Sequence, residues 1–258
     1  MGRDFTTVSE LADEHVPVEQ VGRLAHRYFW AASRCAGKDV LEVACGAGQG
    51  LGYLLSHANS VRAGDITPSL VAAARAHYGD RLLIDEMDAE QLPFADESLD
   101  VVMLFEAIYY LPDAARFVSE CRRVLRAGGQ VLIATANKDL YDFSPSPFSH
   151  RYYGVVELRD LFASHGFSCE FFGNVPVDSV SWRQRVLRPV KKLVVRLGLM
   201  PRTMAGKRLM KRLVFGKMVP MPAEIDEATA SYLPPVSLAA SQPNCRFKAI
   251  YAAATLQA

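Results

Sequence analysis

Leu41 to Gly52 reads LEVACGAGQGLG, an apolar run that breaks into glycine at alternate positions: Gly46, Gly48, Gly50 and Gly52. Glycine recurs like this where backbone must bend sharply or lie close against something. In an open α/β sheet that place is the turn from the first strand into its helix, beyond the strand's carboxyl end. Two phosphate cradles are excluded by counting. The dinucleotide pattern G-x-G-x-x-G needs a third glycine, and from Gly46 that position is Leu51, from Gly48 it is Tyr53. The G-x-x-x-x-G-K-[ST] loop fails as well, because no lysine follows.

The rest of the chain alternates strand and helix. A helical stripe of Val21, Leu24, Tyr28, Ala31 and Cys35 precedes the strand DVLEVAC, and a helix is expected near residues 50–57. SVRAGD reads as a second strand ending at Asp65, and TPSLVAAARAHYG as a helix with Thr67 as N-cap and Pro68 at its first position. RLLIDEMDAE is a third strand. LDVVMLFEAIYYL holds a fourth, continuous and apolar as a strand covered on both faces should be. An amphipathic helix carrying Phe117, Cys121, Val124 and Leu125 is expected to stop at Gly128-Gly129. QVLIATAN, a helix from VVELRDLFASHG, FSCEFFGNV and finally CRFKAIYAAATL complete the series. Such alternation predicts an α/β fold, a doubly wound parallel sheet of seven strands with helices on both faces.

Four segments, in order, resemble the class I S-adenosylmethionine-dependent methyltransferases, and within them the broad type 11 group that acts on small molecules, sugars or lipids. VLEVACGAGQG looks like the motif D/E-x-x-x-G-x-G, AGDITPSLVAAAR like the ribose-binding segment, DAEQLPFADESLD like the adenine-binding segment, and RVLRAGGQVLIAT like the helix, turn and strand beyond the site. The resemblance implies a Rossmann-like sheet whose last strand runs antiparallel. It implies S-adenosyl-L-methionine as methyl donor and S-adenosyl-L-homocysteine as product, with no metal. The implied cofactor-binding residues are Tyr28, Glu42, Ala44, Gly46, Gly48, Asp65, Ile66, Asp88, Ala89 and Phe105. Among them Asp65 takes both ribose hydroxyls and Ile66 packs on adenine. Asp88 receives the adenine amino group, and the Ala89 amide meets a ring nitrogen. His26, Arg27 and Tyr28 lie where relatives place groups that touch the donor carboxylate.

The chemistry agrees with that ligand. The donor has no phosphate but carries an ammonium, which Glu42 can meet through a charge-assisted bond. Asp65 suits a free diol and would repel a 2′-phosphate. For the transfer itself, Glu106, Tyr109 and Tyr110 follow the fourth strand, at the edge that faces sulfur and acceptor in the family. Loops at this edge carry function, so Asn137, Phe148, Tyr152 and Tyr153 are expected to shape the acceptor pocket. His150 is the expected base for a hydroxyl nucleophile, imidazole being suited to proton transfer near neutral pH. Catalytic candidates are therefore His150 and Glu106. The six histidines are dispersed without metal-ligand spacing.

Charge is where composition matters. Net charge is +1, yet twelve Lys or Arg lie between Arg183 and Lys217, and no Asp or Glu occurs between Asp178 and Glu224. The remainder holds 17 basic against 28 acidic residues, a basic insertion on an acidic body. Interleaved with Val, Leu and Met, it reads as an amphipathic lid, a contact for an acidic or phosphate-bearing substrate, or a docking point for an anionic membrane surface. No recognisable RNA module accompanies it, which disfavours nucleic acid. Five scattered cysteines and no secretory leader suggest a cytoplasmic protein, peripheral to the membrane if the insertion binds lipid.

The expected organisation is a single domain over 1–258, with a helical N-terminal segment (1–37), a donor-binding core (38–175), the insertion (176–244) and a final strand (245–258). The expected function is methyl transfer to an oxygen or nitrogen nucleophile of a small-molecule, saccharide or lipid-linked acceptor. The competing readings are a membrane-surface or nucleic-acid methyltransferase, a catalytically silent donor-binding module, and a nicotinamide-dependent oxidoreductase. The last is disfavoured by Leu51 and Tyr53 at the missing glycine positions.

Overall fold

The structure, a computed structural model, describes residues 4–141, 143–146, 148–177 and 218–257. Most of the basic insertion, including every Lys and Arg from Arg183 to Lys217, lies outside the described residues. A short strand β1 (His15–Pro17) leads into α1 (Val18–Cys35). Then follow β2 (Asp39–Val43), α2 (Leu51–Leu55), β3 (Ser60–Asp65), α3 (Pro68–Tyr78), β4 (Ile84–Glu86) and β5 (Leu99–Phe105). The second half holds α4 (Ala114–Val124), β6 (Leu125–Ala136), α5 (Val155–Ala163), β7 (Phe167–Pro176), β8 (Met218–Pro220), β9 (Val236–Leu238) and β10 (Phe247–Leu256).

The main sheet has the order β4-β3-β2-β5-β6-β10-β7-β9. Its first five strands are parallel, as the alternating pattern predicts. β10 runs antiparallel between β6 and β7, with Ala252 opposite Ile133 on one side and Phe171 on the other. The sheet thus has the expected seven strands and antiparallel last strand, plus an eighth, the edge strand β9. A separate ribbon pairs β1 with β8 and joins the leader to the part of the insertion that follows the basic run ending at Lys217.

Burial explains the two faces. One face packs α1, α2 and α3 through residues such as Leu24, Trp30, Leu51, Leu54 and Ala74. The other packs α4 and α5 through Phe117, Val118, Leu158 and Phe162. Phe117, Val118, Cys121 and Val124 are poor helix formers by a few tenths of a kcal/mol each. Burying a large apolar side chain returns about 1.5–3 kcal/mol, so packing decides that α4 is a helix. Asp113 caps it, its carboxylate accepting from the Ala115 and Arg116 amides.

Two local expectations are corrected. Gly128-Gly129 does not stop α4; the helix ends at Val124, and both glycines sit inside β6, beside an irregular register with β5. Thr67 holds the N-cap position of α3, but its side chain makes no capping hydrogen bond.

Candidate functional site

Strand order reverses between β2 and β5, and at their carboxyl ends lies a cavity of about 580 Å³. That is the place where an open α/β sheet binds ligands. Both strands end in strained backbone. Ala44 (φ 55°) follows β2 and Glu106 (φ 53°) follows β5. A non-glycine residue in the left-handed region costs on the order of 1–3 kcal/mol, and such strain gathers at functional sites. Both residues line the cavity.

The four glycines answer different demands. Gly46 (φ 60°) and Gly48 (φ 83°) make the turn itself. Gly50 and Gly52 are close-approach positions: a Cβ on Gly50 would enter the Tyr28 ring, and one on Gly52 would collide with the Glu224 carboxylate. Tyr28 therefore lies flat on the turn. Its hydroxyl donates to Glu42 Oε1 at 2.6 Å, and its ring meets Phe105 edge-on at 5.4 Å.

Glu42 is 1% exposed and lines the cavity, and its Oε2 has no hydrogen-bond partner. Burial pushes its carboxyl up to about 7, against the Tyr28 hydrogen bond and the Arg27 charge, which pull it down. An unsatisfied buried carboxylate oxygen is costly unless a cation or donor completes it. An ammonium group would do so.

Asp65 is 5% exposed, at the end of β3. Its Oδ2 accepts from the Gly46 amide at 3.0 Å and its Oδ1 from the Thr67 amide at 2.8 Å. Burial raises its carboxyl, and these amide bonds oppose the rise. A carboxylate offers about four lone-pair sites, so one remains on each oxygen for a pair of hydroxyl donors. Beside it Ile66 is 42% exposed along the cavity wall, a platform for a flat apolar group. Asp88 and the buried Ala89 line the same end. Asp88 Oδ1 accepts from the Glu90 amide.

At the other end stand Phe105, Glu106, Tyr109 and Tyr110. Glu106 is raised by burial, opposed by the charges of Arg27 and Arg23, and its Oε2 accepts from the Tyr109 hydroxyl at 3.0 Å. Tyr109 stacks on Tyr152 at 4.3 Å, and the Tyr110 and Ser146 hydroxyls share a hydrogen bond of 2.6 Å.

The cavity thus gathers thirteen of the expected residues: Arg27, Tyr28, Glu42, Ala44, Gly46, Asp65, Ile66, Asp88, Ala89, Phe105, Glu106, Tyr109 and Tyr110, while His26 turns its Nε2 to the Ser231 carbonyl. The others lie elsewhere. Gly48 faces Leu51, Ala74 and Tyr78, packing the turn onto α3. Asn137 does not shape the pocket. It is buried, with Nδ2 donating to the Asn244 and Phe247 carbonyls and Oδ1 accepting from the Asp139 amide. Tyr153 lines a neighbouring groove, under Arg151. Tyr152 stacks on Tyr109, and the exposed Phe148 meets Phe5 edge-on at 6.5 Å. His150 is exposed and outside the cavity lining, its amide donating to the Tyr109 carbonyl. Among the described residues no three His, Cys, Asp or Glu side chains converge as a metal site.

Sequence reasoning missed Phe5, Glu10, Arg23, Gln49 and Tyr251, which also line the cavity. Gln49 stood inside the glycine run and was legible there. Phe5 and Glu10 come from a polar leader with no periodicity to mark them.

Residues 41–133 match the family described as a methyltransferase domain. A Mycolicibacterium smegmatis protein described as a probable S-adenosylmethionine-dependent methyltransferase is 40% identical over 176 residues, 64% of each chain. A phthiotriol/phenolphthiotriol dimycocerosates methyltransferase of Mycobacterium ulcerans is 43% identical over 100 residues, 38% of this chain and 37% of that protein. The match thus spans less than two thirds of either relative's length. In fold, the chain is similar to the YcgJ protein from Bacillus subtilis, with a TM-score of 0.58, 17% identity, and 91% and 99% of the two chains covered.

Proposed function

We propose that this chain carries a class I S-adenosylmethionine-dependent methyltransferase domain and moves the donor's methyl group to an oxygen or nitrogen nucleophile of a small-molecule, saccharide or lipid-linked acceptor. The observation that supports this most is the buried Glu42 carboxylate, one oxygen unpartnered, on the same cavity as Asp65 and Ile66. These groups fit an ammonium, a diol and a flat ring, in that order along the wall. Glu42 would hold the tail, with Tyr28 orienting it; Asp65 the ribose; Ile66, Asp88 and Ala89 the adenine. The bound donor supplies a methyl carbon already activated by its sulfonium. The protein's work is then alignment, exclusion of water and removal of a proton.

Glu106 is the better base of the two expected. It lines the cavity, whereas His150 does not. Glu106 would take the acceptor's proton as the acceptor's lone pair receives the methyl group that a bound donor would supply, the donor leaving as its neutral thioether. Tyr109 holds that carboxylate in place. The apolar and aromatic acceptor end (Phe5, Val8, Tyr110, Leu111) supports a lipid-linked or otherwise hydrophobic acceptor, as does the lipid methyltransferase among the relatives. The basic run from Arg183 to Lys217 supports the same reading by its charge.

Calorimetry tests the donor site. S-adenosylhomocysteine should bind, and Asp65→Ala should weaken it at least about tenfold, the effect of losing charge-assisted bonds. Binding of NADH in its place would overturn the assignment. For the acceptor, lipid extracts incubated with enzyme and donor should yield a product heavier by one methylene, lost in Glu106→Gln.

A further inference from the structure

The leader is more than a lead-in to α1, because residues 5–10 form one wall of the cavity. Phe5 packs on Tyr110 at 5.1 Å between ring centres, and with Val8 it lines the acceptor end. The Thr6 hydroxyl shares a hydrogen bond of 2.8 Å with Ser69 in the first turn of α3, beside the ribose-side carboxylate. Glu10 binds at three points: its Oε2 accepts from Arg27 Nη2 at 2.8 Å, its Oε1 from Gln20 Nε2, and its carbonyl from Gln49 Nε2 at 2.6 Å. Arg27 is on α1 and Gln49 in the glycine turn, so one residue ties the leader to both. Farther along, β1 pairs with β8 and the Asp13 amide donates to the Met221 carbonyl.

We propose that residues 4–17 are a strap over the methyl-donor site, latched by Glu10 on Arg27, with Phe5 and Val8 as its acceptor-side wall. The inference rests on the donor-site reading above. Within the strap only Val16 is buried, so little apolar burial holds it down and local opening is easy. The latch is different. The Glu10 and Arg27 side chains are 25% and 12% exposed, where an ion pair is screened less than at the surface. Arg27 Nε is buried without a partner, so losing Glu10 would leave this guanidinium poorly satisfied. The leader forms one wall of the donor cavity, so opening of that wall would widen the ligand's way in and out.

Stopped-flow binding of S-adenosylhomocysteine, with hydrogen exchange of the 4–17 peptide, tests the strap. In the unaltered protein the ligand should slow exchange across 4–17. Glu10→Gln should raise both association and dissociation rate constants, dissociation by roughly five- to tenfold, between the effects of losing exposed and buried ion pairs. Phe5→Ala should also speed both. A merely destabilised fold would not accelerate association. If the ligand binds the unaltered protein but exchange in 4–17 and both variants' rates stay unchanged, the strap is overturned and the donor site stands. If the unaltered protein does not bind it, the donor-site reading falls and the strap with it.

Discussion

Glu42 shows how one buried carboxyl serves two opposed demands. Burial favours its neutral form and raises it from 4.5 to about 7. Its folded value lies above its unfolded one, so its stabilising contribution is full below about pH 4.5 and is lost as pH rises through about 7. Donor binding as proposed needs the other form, a carboxylate to meet an ammonium. The unliganded protein should therefore melt lower at pH 8 than at pH 6, while affinity for S-adenosylhomocysteine rises over that interval. Glu42→Gln should flatten both trends and weaken binding; a steep pH dependence of affinity that survives the substitution would contradict this assignment. Glu42, Asp65, Ile66 and Asp88, grouped in the sequence by chemistry and spacing, all line one cavity. Asn137 was misread for a physical reason: an amide in a loop at the sheet edge looks the same whether it faces a ligand or ties down backbone carbonyls.

At the scale of elements, α1 and the glycine turn fit each other through Tyr28. Its ring is held between Gly50 and Phe105, with no room for a methyl group at position 50. Gly50→Ala should destabilise the fold by about 1–3 kcal/mol, the usual cost of overpacking. Gly22, inside α1, has open space at its Cβ position, so Gly22→Ala should stabilise by about 0.5–1 kcal/mol. Urea denaturation of the two variants checks both signs; equal effects would mean that Tyr28 does not enforce glycine at position 50. The helices and long strands were readable from continuous apolar runs and helical stripes. β1, β8 and β9 were not: three residues carry no usable period, and they lack the place in the strand–helix alternation that marks the equally short β4. Gly128-Gly129 was misplaced because a glycine pair breaks a helix and loosens a strand by the same freedom.

Over the whole molecule, charge is divided between an acidic body and the basic run from Arg183 to Lys217. No helix among the described residues is long and apolar enough to cross a membrane, and the basic run could meet an anionic lipid surface through its charge. Co-sedimentation with anionic vesicles should occur at low salt and fall as ionic strength rises, because screening shortens the reach of exposed charges to about 8 Å near 0.15 M. Absence of binding even at low salt would count against a lipid-surface acceptor.

The sequence by itself determined the sheet's parallel half, the turn that bends at Gly46 and Gly48, and the carboxylates Glu42, Asp65 and Asp88 that line the cavity. All of these are local: each is encoded within one strand, one turn or one short motif. Tertiary structure decided what depends on distant segments meeting. It seated β10 between β6 and β7, drew Glu224 onto Gly52, and brought Glu10 of the leader onto Arg27 and Gln49. It also placed Glu106 and not His150 on the cavity, since only the packed chain fixes which side chain lines it. Periodicity records which face of an element is apolar. The groups that meet across a cavity are selected by the closing of the whole core.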